Sequence, residues 1–193
     1  MSDEHSKWMR LAIAQADLAR GNTGDNPWVG CVIVNRRGDV LGVGHTLGPG
    51  EAHAEVAAAL DAHGRGHSVI GATLYSTLEP CSFHGRTPAC AVSIASRGVA
   101  TVVTGMRDPH PRVNGAGVAI LRSAGVHVIE GVCEGEVMRQ LGHWLLSRHP
   151  QALVSRVQQL PAHRRVEELM RMYGIEQARA EDVLSPRALP SRE

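Results

Sequence analysis

The residues best suited to chemistry in this chain are two cysteines, one histidine and one glutamate. Cys81 and Cys90 stand nine positions apart, and His53 and Glu55 lie upstream, two positions apart. A catalytic zinc site has three protein ligands and keeps its fourth position open for water, and His53, Cys81 and Cys90 supply such a set. Glu55 is not needed as a ligand and is a candidate general acid and base. The alternative is a surface histidine with two buried or disulfide-bonded cysteines, which the occurrence of all four residues in this order disfavours.

The motifs around these residues resemble one family. A His-x-Glu, a Pro-Cys and a second Cys are the signature of zinc deaminases, and here eight residues separate the cysteines. The chain is therefore similar, over about residues 5 to 147, to the deaminase domain of the bifunctional riboflavin-biosynthesis deaminase/reductase, in the cytidine deaminase-like superfamily. The reductase half that usually follows is absent from this sequence. The matching segments are Asn26-Pro27-Trp28-Val29-Gly30-Cys31-Val32-Ile33-Val34, Gly50-Glu51-Ala52-His53-Ala54-Glu55, Thr77-Leu78-Glu79-Pro80-Cys81, Gly85-Arg86-Thr87-Pro88 and Asp108-Pro109.

The resemblance implies hydrolytic deamination of an amino group on a small heterocycle. Zn²⁺ would be held by His53, Cys81 and Cys90, and Glu55 would carry the proton. In the riboflavin family the substrate is a diaminopyrimidinone with a ribosylamino phosphate, and a basic residue matching Arg86 lies near the phosphate. The residues that the resemblance places at the substrate are Asn26, Phe83, His84, Arg86, Asp108 and His110.

Two positions of that pocket depart from the family. Phe83 stands where the riboflavin motif normally has His, and His110 stands where it normally has Asn. His84 would replace the missing imidazole after a shift of one residue. These departures leave open a deaminase of a different pyrimidine-like or purine-like compound in specialised metabolism. A third reading is a catalytically idle, zinc-stabilised binding subunit, which the intact set of four chemical residues disfavours.

The amino-acid composition argues against two classes of binding partner. The 193 residues carry a formal net charge of +1 and few aromatic side chains, so neither nucleic acid nor an anionic membrane is expected as a partner. The polar first ten residues disfavour a secretory signal or a membrane span. Cys31 is expected to be a reduced thiol in the core, and Cys133 is expected near a helix start without an assigned role. The cytoplasm is the expected compartment.

The elements that must position these residues follow an α/β pattern. A three-layer α/β/α fold with a mixed five-stranded sheet is predicted, because an opening hairpin is followed by alternating strands and helices. The helix from residue 53 is expected to turn Val56, Ala57 and Leu60 inward. The predicted strands cover residues 29–35, 40–45, 72–78, 99–106 and 127–131, and the predicted helices cover about 2–20, 53–63, 88 onward, 116–124 and 134–147.

The chain is divided at residue 149 in this prediction. Residues 1–149 form the zinc-dependent deaminase domain, and residues 150–193 form a partly helical extension. Within the extension a helix is expected over residues 163–173, with Val166, Leu169, Met170 and Tyr173 on one face, and residues 185–193 are expected to be disordered. A homodimer is predicted, and a separate reductase is considered as a further partner.

Overall fold

The computed structural model describes residues 2–85 and 88–185. The chain divides into two compact units, residues 1–134 and 135–193. The helices and strands of the first unit, in chain order, are α1 (Ser2–Asp17), β1 (Gly30–Val34), β2 (Val40–His45), α2 (Ala54–Gly64), β3 (Thr73–Leu78), α3 (Cys90–Ser96), β4 (Thr101–Met106), α4 (Ala116–Ser123) and β5 (His127–Ile129).

The five strands form one mixed sheet in the order β2-β1-β3-β4-β5. Strand β1 runs antiparallel to both of its neighbours, whereas β3, β4 and β5 are parallel. The short turn between β1 and β2 permits only an antiparallel hairpin, and helices α3 and α4 provide the longer connections that parallel strands need. The predicted mixed five-stranded sheet is thereby confirmed.

Helices cover both faces of this sheet. Side chains of a strand alternate between faces, and on β1 the residues Val32 and Val34 pack in one core with Trp8 and Met9 of α1. Ile33, on the opposite face, lines a small internal cavity together with residues of α2. The predicted three-layer α/β/α architecture is therefore confirmed.

Helix α2 lies unusually close to the sheet. A Cβ atom at Gly42 would lie 2.3 Å from the Ala58 carbonyl oxygen, and one at Gly44 would lie 2.3 Å from the Ala58 nitrogen. Only small residues fit such a contact. The prediction that Leu60 faces inward was wrong, because Leu60 is 55% exposed. Val56 and Ala57 are half-buried, and Val56 lines the internal cavity with Ile33. The buried residues of α2 are Ala54, Glu55, Ala58, Ala59 and Ala62.

Two helix boundaries also differ from the prediction. Helix α1 ends at Asp17 instead of about Arg20, because residues 18–21 form turns. Helix α3 begins at Cys90 and not at Pro88. Cys90 is therefore the first residue of the helix, so its backbone N–H is one of the unpaired donors of the first turn.

The second unit, as far as residue 185, is helical. The helix expected over residues 163–173 is present, whereas α6 and α8 were not predicted. In this unit the carbonyl oxygen of Tyr173 would lie 1.9 Å from a Cβ at Gly142, so glycine is required for that contact. Residues 186–193, most of the segment expected to be disordered, lie outside the described residues. The helices are α5 (Glu134–Arg148), α6 (Pro150–Val157), α7 (Ala162–Tyr173) and α8 (Gln177–Leu184).

Within the described parts of both units, no helix is long and apolar enough to cross a membrane.

Candidate metal centre and active site

The three predicted ligands meet where two helices begin and one strand ends. His53 precedes the first residue of α2 in an extended conformation. Cys81 lies in the loop that follows β3, and Cys90 opens α3. Their ligand atoms, His53 Nδ1 and the two Sγ atoms, all lie within 4.8 Å of one another, in the one such group found in the searched residues 2–85 and 88–185.

The spacing of these atoms fits zinc. The distance from His53 Nδ1 to Cys81 Sγ is 3.8 Å, and the distance to Cys90 Sγ is 3.3 Å. Tetrahedral zinc with ordinary Zn–S and Zn–N bonds requires a nitrogen-to-sulfur distance of about 3.6 Å. The two observed distances lie on either side of this value, so the donor set can hold Zn²⁺ with little movement.

A hydrogen bond links Cys81 and Cys90, and it shifts the pKa values of the two thiols in opposite directions. The hydrogen bond with Cys90 and, after it, the one with His53 lower the pKa of Cys81 to about 4. The bond to Cys81, followed by burial, raises the pKa of the Cys90 thiol. The backbone N–H of Cys90 also donates to Cys81 Sγ at 3.2 Å. A zinc ion would displace the thiol proton, since metal-bound cysteine is a thiolate.

Glu55 lies beside the ligand atoms but is not one of them. It occupies the first turn of α2 and is 5% exposed. Burial first, and then the negative charge of Cys81, raises the pKa of this carboxyl group above its usual value. A carboxyl group with a raised pKa releases and accepts protons nearer to neutral pH, which is the property of a general acid and base.

Three of the predicted substrate residues form one cluster. Asp108 Oδ1 accepts a hydrogen bond of 2.8 Å from the backbone N–H of His110. The His110 ring lies beside Phe83, with ring centroids 5.6 Å apart. Burial raises the pKa of Asp108 to about 6. The structure thus brings Phe83, Asp108 and His110 together in the loops next to Cys81.

Of the other three predicted substrate residues, the structure describes Asn26 and His84. Asn26 is half-buried in the turn before β1, where its backbone carbonyl accepts a hydrogen bond from Thr23. His84 is exposed. Arg86 lies outside the described residues, so its predicted role stays a prediction.

Glu79 is a positioning residue whose role the sequence did not reveal. Its carboxylate is 3% exposed and accepts hydrogen bonds from the backbone N–H groups of Gly115, at 3.0 and 2.9 Å, and Val118, at 3.1 Å. It therefore caps the N-terminus of α4, which carries a positive partial charge. A Cβ at Gly117 would lie 2.0 Å from the Pro80 carbonyl oxygen. This close contact and the cap hold the segment 107–115 against the cysteine loop.

Arg112 is a second residue that sequence reasoning missed. Its Cζ atom lies 3.9 Å from the centroid of the Phe83 ring, and its backbone is hydrogen-bonded both to the cysteine loop and to His110. The Ser82 hydroxyl donates to the Arg112 carbonyl at 2.6 Å, and the Arg112 N–H donates to His110 Nδ1 at 3.1 Å. The sequence separation of Phe83 and Arg112 hides this contact from local patterns.

Comparison with known proteins places the chain in a family. The family model described as the cytidine and deoxycytidylate deaminase zinc-binding region matches residues 2–106. The riboflavin biosynthesis protein RibD of Escherichia coli (strain K12) is 45% identical over 148 residues, which cover 77% of this chain and 38% of that protein. The chain thus spans well under half the length of this curated relative.

Solved structures agree with this relationship. The diaminohydroxyphosphoribosylaminopyrimidine deaminase/5-amino-6-(5-phosphoribosylamino)uracil reductase of Thermotoga maritima matches with a TM-score of 0.67 and 40% identity, over 72% of this chain and 39% of that one. RibD of Acinetobacter baumannii matches with a TM-score of 0.69 and 38% identity, over 78% and 41%. The expected resemblance to the deaminase part of these proteins is confirmed. This chain belongs to the cytidine and deoxycytidylate deaminase family, whose zinc-binding region it contains.

Proposed function

We propose that this protein is a zinc-dependent hydrolytic deaminase of an amino-substituted pyrimidine carrying a ribosylamino phosphate, the deamination step of riboflavin biosynthesis. The observation that carries the proposal is the pairing of two features. Three ligand atoms of His53, Cys81 and Cys90 lie at the spacing that zinc requires, and the buried Glu55 lies beside them without being a ligand. The names and 38–45% identities of the relatives support the substrate class.

Each residue has a separate task in the proposed reaction. Zinc held by His53, Cys81 and Cys90 would lower the pKa of a water molecule toward ~7. Glu55 takes a proton from the attacking water and delivers it to the ring nitrogen next to the amino-bearing carbon. It then takes the remaining proton from the hydroxyl group added to that carbon and delivers it to the amino group. The C–N bond breaks, ammonia departs, a C=O bond forms, and the carboxylate is regenerated. Burial of Glu55 excludes bulk water from these transfers and keeps its pKa raised.

The loop cluster would hold the polar edge of the substrate. Asp108 accepts hydrogen bonds, and its orientation is set by the bond from the His110 N–H. His110 accepts a bond at Nδ1 from Arg112, so the proton of the neutral ring is on Nε2 and that nitrogen is its donor. We propose that Asn26, His84 and Arg86 complete the contacts to the substrate, as the family resemblance implies.

A second candidate is a deaminase of a different pyrimidine-like or purine-like compound. The observation that favours it is the cluster of Phe83 and His110, which differ from the family's usual His and Asn. A phenyl ring neither donates nor accepts a hydrogen bond, and a site that lacks one needed partner can discriminate strongly between substrates.

Ammonia release separates the two candidates. Zinc-loaded protein is incubated with the diaminopyrimidinone ribosylamino phosphate and with a panel of other aminopyrimidines and aminopurines. We expect the riboflavin intermediate to give an ordinary kcat/KM of ~10⁴ M⁻¹s⁻¹ or more. A panel compound preferred over it by tenfold or more supports the second candidate, and release from no compound contradicts both.

Two partners belong to this proposal. We propose a homodimer, as in many proteins of this fold, and a separate reductase that consumes the deaminated product. The apolar face of α7 does not support the dimer, because Leu169 and Tyr173 on that face are buried within the chain. Light scattering at micromolar concentration tests the dimer, and NADPH-dependent reduction of the product by a second purified protein tests the reductase.

The cytoplasmic location stays a prediction.

A further inference from the structure

Arg112 lies against Phe83, one of the residues proposed at the substrate, and its guanidinium has no role in the proposed chemistry. Its guanidinium lies in stacking range of Phe83, at 3.9 Å from the ring centroid. Stacking occupies the flat face of a guanidinium and leaves the N–H donors at its edge available for an anion. The side chain as a whole is exposed.

The backbone of Arg112 is fixed at both ends. The Ser82 hydroxyl, next to Cys81 in sequence, donates to its carbonyl oxygen, and its own N–H donates to His110. His110 is in turn bonded to Asp108. The Glu79 cap anchors the end of the same segment at Gly115. Arg112 is therefore placed before any ligand arrives, which lowers the entropic cost of binding.

The charge of Arg112 is not neutralised in the described structure. Across residues 2–85 and 88–185, no carboxylate forms an ion pair with its guanidinium, whereas Arg107 and Arg122 both pair with Glu130. An exposed guanidinium that is preorganised, stacked on an aromatic ring and not paired with a carboxylate is suited to a phosphate group, which it can bind through two parallel N–H···O bonds.

We propose that Arg112, stacked on Phe83, binds the phosphate of the substrate and makes the enzyme selective for the phosphorylated compound. This inference rests on the proposed deaminase function. It also gives Phe83 a role: the phenyl ring is the surface on which the arginine is held. The imidazole expected at that position would instead have bonded to the substrate itself.

The test compares phosphorylated with unphosphorylated substrate. Steady-state constants are measured for the diaminopyrimidinone ribosylamino phosphate and for its dephosphorylated form, with zinc-loaded wild type, Arg112→Ala, Arg112→Lys and Phe83→Ala. We expect Arg112→Ala to reduce the preference for the phosphorylated compound by about 10- to 100-fold. This is the loss of affinity expected when one or two charged hydrogen bonds are removed. The loss is expected in KM, while kcat is retained.

The other variants separate charge from stacking. Arg112→Lys retains the positive charge but loses the planar guanidinium that stacks on Phe83. Its preference for the phosphorylated compound is therefore expected to lie between those of the wild type and the alanine variant. Phe83→Ala is expected to lose less than Arg112→Ala. Arg97→Ala, at an exposed arginine after α3, is the matched control and should retain the wild-type constants.

A binding measurement keeps this inference separate from the proposed function. Calorimetry with ribose 5-phosphate and ribose needs no turnover, and we expect the wild type to bind the phosphate and Arg112→Ala to bind it at least tenfold more weakly. If the wild type deaminates neither compound, the proposed function fails and this measurement alone decides the role of Arg112. Equal binding of ribose 5-phosphate by the two proteins, or an equal loss on both substrates in Arg112→Ala, overturns the inference.

Discussion

At the scale of single residues, the proposed mechanism assigns metal binding and proton transfer to different side chains. His53 sits just before the first turn of α2 and Glu55 sits within it, so this helix start would supply both a metal ligand and the proton carrier. The carboxyl group is buried and its pKa is raised, whereas the cysteine Sγ atoms lie within ligand distance of the histidine. This division makes the two functions separable by mutation.

Glu55→Gln is expected to retain zinc and the fold but to lose about 10²- to 10⁴-fold in kcat, the usual contribution of a general acid and base. The amide has nearly the same shape as the carboxyl group and cannot carry the proton. Zinc content by elemental analysis and the melting temperature serve as controls. Near-normal turnover in this variant would show that another group transfers the proton.

Asp108 makes stability depend on pH. Its pKa is raised to about 6 in the folded state by burial, above the value of about 3.9 expected when unfolded. Below pH ~4 the carboxyl group is protonated in both states, and above ~6 only the folded state bears the cost of burying its charge. The stability of the wild type relative to Asp108→Asn should therefore fall as pH rises from about 4 to 6.

Urea unfolding at several pH values measures this difference. The side-chain oxygen of the introduced asparagine can still accept the bond from the His110 N–H, so the loop is retained. The relative stabilities of the two proteins should be constant above pH ~7. A difference that does not vary between pH 4 and 6 would mean that burial does not raise the pKa of Asp108.

At the scale of elements, the site depends on how closely helices approach the sheet and the loops. Gly42 and Gly44 admit the alanine face of α2, which brings the helix start with His53 and Glu55 to the edge of the sheet. Glu79 caps the start of α4 and so holds this helix start against the loop that carries Cys81. Hydrophobic periodicity did not predict the buried face of α2, because in an alanine-rich helix the contrast between faces is small and close glycine contacts favour the smallest side chains.

Glu79→Gln is expected to lower the free energy of unfolding by about 1–3 kcal/mol, because a buried amide group then faces backbone N–H donors that need an acceptor. Zinc binding should be retained, since Glu79 is not a ligand. Urea denaturation measures the change, and Glu51→Gln, at an exposed glutamate, is the matched control expected within ±0.5 kcal/mol. Equal stability of the two variants would show that the cap contributes nothing.

At the scale of the whole molecule, a metal held by the three candidate ligands would link separate segments of the first unit. His53, Cys81 and Cys90 come from the start of α2, the loop after β3 and the start of α3. A ligand that binds only the folded state stabilises it by about 4 kcal/mol at a thousandfold excess over its dissociation constant. The metal should therefore contribute to the stability of the fold as well as to catalysis.

Protein purified without added metal is expected to contain about one zinc per chain. Chelation should lower its melting temperature by about 10 °C, given that 1 kcal/mol corresponds to about 2–4 °C in a chain of this size. His53→Ala should already show the lower temperature and no response to chelator. The matched His63→Ala variant, at an exposed histidine of the same helix, should respond like the wild type. Metal-free protein with full activity would contradict the mechanism.

The sequence by itself determined which residue types are available to bind a metal and carry a proton, their order along the chain, and the alternation of strands and helices. These are local properties, because a His-x-Glu, a pair of cysteines or a run of β-branched residues can each be recognised within a short stretch of the chain. The mixed sheet followed from them, because a short turn permits only an antiparallel hairpin and helical connections permit parallel strands.

Only the tertiary structure decided what depends on contacts between distant positions. The stacking of Arg112 on Phe83, the capping of α4 by Glu79 and the alanine face of α2 each join residues that no local pattern relates. Helices α6 and α8 are short, and short helices depend on packing more than on propensity. The physical reason is the same in each case: the energies that settle these features come from close packing and buried hydrogen bonds, which exist only once the chain has folded.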